Sequence, residues 1–175
     1  MSTNWRISSF SGVLLATYFI PTWAIIAYRI MVSPVQGLFE RPNISVALFV
    51  SDHLQLASVT TVRLAWLLAL GRLTVVAFLA IFLFFAARAL IRKTVGGGEA
   101  LAIALTIGSM ISFACVLLAS KVGETEALRM HATELLMMLG TGVVMLFETP
   151  AQPQTETIAV TRDQSLEQTE LPYKH

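Results

Sequence analysis

The sequence predicts an all-α fold, an integral membrane four-helix bundle that crosses a bilayer four times. Three observations carry that expectation. Of 175 residues, 55% are hydrophobic and only 13% charged, about half the charged share of an ordinary soluble domain. Mean hydropathy is +0.71. Four apolar segments of roughly bilayer length are separated by polar, charged or glycine-rich breaks, which is the pattern of spanning helices.

The first span is expected over residues 10–32, with Tyr18, Trp23 and Tyr28 along it and Arg29 near its far end. Only Arg6 precedes it, and no small-residue cleavage pattern ends it, so it reads as a retained helix and not a removable leader. Pro21 predicts a kink, tolerable where neighbouring helices make up the lost backbone bond.

The 44–66 stretch is too apolar for a solvated loop. Alternation at Ile44, Val46, Leu48 and Val50 suits a strand; Val46, Phe49, Val50, Leu56, Val59 and Leu67 against Asp52, Gln55, Ser58 and Thr61 suits an amphipathic helix. The helix is preferred, lying on the membrane surface or over the mouth of the bundle, since a lone strand leaves its backbone unpaired near lipid.

The second span is expected over 67–91. Its uninterrupted apolar run, Leu73 to Ala87, is bracketed by Arg72 and Arg88, which would snorkel in opposite directions. Arg88, Arg92 and Lys93 then lead to the helix-breaking Gly96-Gly97-Gly98. The third span, 99–120, carries Ala104, Gly108 and Ser112 at a spacing of four, a small-residue face for helix packing. A turn over 121–126 leads to the fourth span, 127–147, where Gly140 offers another close-contact position. From Glu148 to the end, Pro150, Pro153 and many Thr, Gln and Glu residues predict a flexible tail.

Lys and Arg divide evenly between the two sides of such a topology. The compact group Arg88, Arg92 and Lys93 breaks the tie and places both termini in the cytoplasm, in a membrane expected to be the bacterial inner (plasma) membrane.

Chemistry is sparse. Glu134 lies fourteen residues before Glu148, about 21 Å along a helix and well inside the slab, so it must face the bundle and be paired or protonated. Arg72, about 24 Å from Arg88 by the same rise, falls at a similar depth and is its expected ion-pair partner. His131, one turn before Glu134, can join them. Such a cluster either fixes helix register or serves conduction.

A metal site would require Asp52 and His53 to converge with His131 and Glu134, a weak pattern. Haem ligation lacks a second intramembrane histidine, and Met110, Met130, Met137, Met138 and Met145 suit packing better. Cys115 is the only cysteine, which excludes an internal disulfide and any CxxC motif. Nucleophile-elbow, phosphate-loop and H-E-x-x-H motifs are absent, and a net charge of +1 gives no electrostatic case for nucleic acid.

The expected function is therefore non-catalytic, without a cofactor: an accessory, assembly or oligomeric structural component of a membrane complex. Its partners would be the lipid bilayer and either further copies of itself or a larger membrane protein. A small ion or solute channel or transporter using Arg72, His131 and Glu134 is the alternative, and a metal- or haem-binding protein comes third.

Overall fold

A computed structural model describes residues 7–55, 57–92 and 97–148. The tail beyond Glu148, Arg6, Leu56, and Lys93 with Gly96 of the second loop lie outside the described residues.

Four helices are long and apolar enough to cross a membrane: α1 (Ile7–Val32), α4 (Ser58–Arg92), α5 (Gly98–Val122) and α6 (Thr125–Glu148). Helix is the form such segments must take in hydrocarbon, where each backbone polar group has to be satisfied within its own segment. α1 is helical straight through Pro21, whose ring lies on the exposed side.

The helices pack in a ring, with α1 beside α4 and α6, and α5 between α4 and α6. Each contributes a buried stripe at helical spacing. In α6 the stripe is Ala127, His131, Glu134, Met138 and Thr141, alternate steps of four and three that form an inward seam. In α5 it includes Leu101, Ala104, Gly108, Ser112, Cys115 and Ala119, and in α4 Ala65, Ala69, Arg72, Val75, Leu79 and Phe82. Large apolar side chains such as Phe84, Leu136, Leu146 and Leu67 point outward, as they must where lipid is the solvent.

Two features differ from the sequence expectation. Residues 58–66 belong to α4 and not to the amphipathic segment. No Pro or Gly interrupts the chain between Ser58 and Leu70, and the N–H groups of Thr60 and Thr61 donate to the Ala57 carbonyl to start the helix. Arg72 is consequently mid-helix and 1% exposed; it does not snorkel, and the exposed charges flanking the span are Arg63 and Arg88.

Between α1 and α4 the chain forms a cap, made of α2 (Pro34–Leu38), α3 (Ile44–Phe49) and a π-helical turn (Val50–Leu54). The preference for helix over strand in this stretch matches. The turn ends at Gln55, whose φ of 44° stops the helix before α4 begins. α2 packs on α1 and α4, and α3 on α5, so the segment lies across one end of the bundle. Arg29 of α1 pairs with Glu40 at 3.2 Å, and Asn43 Nδ2 donates to the Gly37 carbonyl at 2.8 Å.

The α5–α6 connection is short because Gly123 takes a left-handed φ of 80°. That lets its N–H and that of Glu124 return to the Ala119 carbonyl at 2.9 and 3.1 Å, closing the helix end.

Gly37 fits against the α1 backbone itself. A Cβ there would lie 2.7 Å from Ile30 Cα and 2.8 Å from Ile30 N. Gly37→Ala is expected to destabilise the fold by about 1–3 kcal/mol through that overlap, whereas Gly140→Ala, with nothing within 4 Å, is expected to leave it unchanged. Thermal unfolding of both variants in one detergent checks the pair.

Candidate functional site

Glu134 is 3% exposed, and the α6 seam points its carboxylate into the centre of the bundle. Three side chains from three helices receive it. The Trp23 indole N–H of α1 donates to Oε1 at 3.2 Å. The Ser112 hydroxyl of α5 donates to Oε2 at 3.5 Å, a long bond. His131 Nδ1, one turn back on α6, lies 2.9 Å from Oε2.

The other face of the imidazole ties this group to the cap, since His131 Nε2 lies 2.9 Å from the Pro42 carbonyl oxygen. A carbonyl only accepts, so Nε2 carries a proton. One further proton must then lie between Nδ1 and Oε2. An imidazolium facing a carboxylate and a neutral imidazole facing a carboxyl both satisfy the contact, and both make the pair neutral overall.

Arg72 completes the cluster from α4 without reaching the carboxylate. The expected Arg72–Glu134 ion pair is not formed: among the described residues the ion-pair contact of Glu134 is with His131. The guanidinium lies over the Trp23 ring, 5.6 Å from its centroid, is hydrogen-bonded to the Cys115 side chain of α5, and is within electrostatic reach of Glu134. Trp23 thus stands between Glu134 and Arg72, giving its N–H to the carboxyl oxygen and its π-face to the guanidinium.

Arg72 Nε and Nη1 are buried with no hydrogen-bond partner. A buried donor left unpaired costs about 1–3 kcal/mol, and more when charged. Asn43 Oδ1 and Ser45 Oγ in the cap are buried and unpaired as well.

Of the small residues expected to pack helices, Ala104, Gly108 and Ser112 line the buried face of α5. A Cβ on Gly108 would meet Met138 Sδ of α6 at 2.7 Å. Ser112 has a second use as a donor to Glu134. Gly140 is exposed, with nothing within 4 Å, and packs against no helix of this chain.

The weak metal pattern does not assemble. Asp52 and His53 are exposed on the π turn, with His53 stacked on Phe49, while His131 and Glu134 are enclosed. Among the described residues no three His, Cys, Asp or Glu side chains converge as a metal-binding group.

Sequence reasoning missed Trp23 and the Pro42 carbonyl. A signal for Trp23 existed: an inward-facing indole needs an acceptor, and Glu134 is the one carboxylate in the middle of a span. The Pro42 carbonyl is a backbone group and carries no such mark.

His131→Ala removes the link to the cap and one donor to Glu134 together. It is expected to cost about 2–4 kcal/mol by leaving buried acceptors unpaired, and to speed amide hydrogen exchange in residues 34–54 more than in α5. Exchange mass spectrometry in detergent reads both effects.

No known protein family, curated protein or solved structure matches this chain.

Proposed function

We propose that this protein is a non-catalytic component of a membrane complex, serving as an accessory, assembly or oligomeric structural subunit. The observation that supports it most is that the polar network closes on itself. Both Glu134 oxygens and both His131 nitrogens are bound within the chain, an arrangement that ties three helices and the cap in one register. Among the described residues, Ser112, the hydroxyl beside the Glu134 carboxyl, is fully buried. The outer surface is apolar, and on α6 it includes Gly140 and Gly142, where a second helix can approach closely. The cluster of Arg88, Arg92 and Lys93 supports cytoplasmic termini, and the compact four-span layout favours a bacterial inner membrane.

A small ion or solute transporter is the second reading, favoured by the two unpaired donors of Arg72, since ionisable groups within membranes commonly mark pathways.

Extraction in a mild detergent followed by size analysis tests the first reading. The protein is expected to emerge as an oligomer or with a second membrane protein, and Gly140→Leu is expected to weaken that association without unfolding the chain. Emergence as a lone monomer under all mild conditions overturns it. Proteoliposome flux tests the second: Glu134→Gln is expected to reduce flux at least tenfold if the cluster lies on a route, and equal flux in both proteins removes that role.

A further inference from the structure

At the end of the bundle opposite the cap, α4 and α5 leave a groove open to the outside. It measures about 580 Å³ and is walled by Phe78, Ile81 and Phe85 of α4 and by Ile103 of α5, a size within the range of about 300–1,000 Å³ usual for small-molecule sites. The three α4 residues follow at steps of three and four and so share one stripe of their helix. Gly97 sets the mouth: a Cβ on it would lie 3.1 Å from Phe85 Cβ, so α5 begins level with Phe85. Two opposite charges stand there. Glu99, in the first turn of α5, lines the groove itself. Arg88 continues the α4 stripe three residues beyond Phe85, about 4.5 Å further along the axis. Both side chains are exposed, and the ion pairs among the described residues are made by others.

We propose that this groove holds one phospholipid whose headgroup carries a primary ammonium, with an acyl chain along Phe78, Ile81 and Ile103, the ammonium on Glu99 and the phosphate on Arg88. A lipid tail meets such walls about as well as it meets other tails, so the walls admit a chain and the charges at the mouth choose the head. A primary ammonium brings N–H donors for charge-assisted hydrogen bonds to a carboxylate, and a trimethylated one has none. An anionic head without an amine would satisfy Arg88 and be repelled by Glu99. The inference goes beyond the scaffold reading: it concerns the lipid at the surface and holds whether the chain works alone or within a complex.

Native mass spectrometry of the full chain, delipidated in a mild uncharged detergent, counts the lipids bound during titration. The probes are phosphatidylethanolamine, phosphatidylcholine and phosphatidylglycerol with identical acyl chains. The unmodified protein is expected to bind one phosphatidylethanolamine about tenfold more tightly than either of the others. Glu99→Gln is expected to abolish that preference, Arg88→Gln to weaken phosphatidylethanolamine and phosphatidylcholine alike, and Ile103→Trp, which pushes a larger side chain into the groove, to weaken all three. Thermal melting reports whether each variant folds. Phosphatidylglycerol binding as tightly as phosphatidylethanolamine overturns the proposal, because the surface is then simply basic, and equal binding of phosphatidylethanolamine and phosphatidylcholine overturns it too. Both of those readings use the unmodified protein. An undiminished preference for phosphatidylethanolamine in a folded Glu99→Gln protein also overturns it.

Discussion

A carboxylate within an apolar slab must be satisfied by the protein, because hydrocarbon offers it nothing. The arrangement of this chain follows from that constraint at Glu134. Its acceptors draw one donor from α1 and one from α5, and a proton-sharing partner from its own helix. The partner in turn holds the cap through Pro42. Apolar packing alone would let four greasy helices slide or rotate against each other, since lipid contacts are about as favourable as helix contacts. A carboxylate with direction-dependent bonds leaves one register in which all are made.

Trp23 gives the network its economy. One side chain serves as hydrogen-bond donor to Glu134, as a π-face for the Arg72 guanidinium, and as an edge-on neighbour for Phe19 at 5.3 Å. Glu134 directs its oxygens to the indole N–H and the imidazole. The observed arrangement satisfies those two and leaves the guanidinium short, a distribution of costs that distance along the helix axis does not reveal.

Much of the fold was legible because the bilayer imposes a single length and a single polarity on every span. The bounds expected for α1, α5 and α6 lie within a few residues of those observed, and a helical cap was favoured over a strand. The start of α4 was misplaced because Arg63 and Arg72 look alike in sequence: a charge flanking a span and a charge inside one differ only in which face of the helix they occupy. His131, Glu134 and Arg72 were identifiable as intramembrane ionisable groups from depth alone. Which of them touch was not, because depth fixes one coordinate, whereas the contact between Glu134 and Trp23 depends on helix rotation. Gly140 illustrates the same gap, since spacing identifies a small residue without saying whether it faces a sister helix or the exterior.

The position of Arg72 along α4 makes the two halves of the span unequal. From Arg63 to Arg72 the helix rises about 14 Å, and from Arg72 to Arg88 about 24 Å. For a chain embedded in a bilayer, the cationic centre therefore sits about a third of the way across the insulating thickness, measured from the end that carries α2 and α3. A transmembrane voltage does roughly 2.3 kcal/mol of work per 100 mV on a unit charge carried fully across. It would do only about a third of that on a charge exchanged between this depth and the nearer aqueous phase, so the electric field couples weakly to the cluster from one side and strongly from the other.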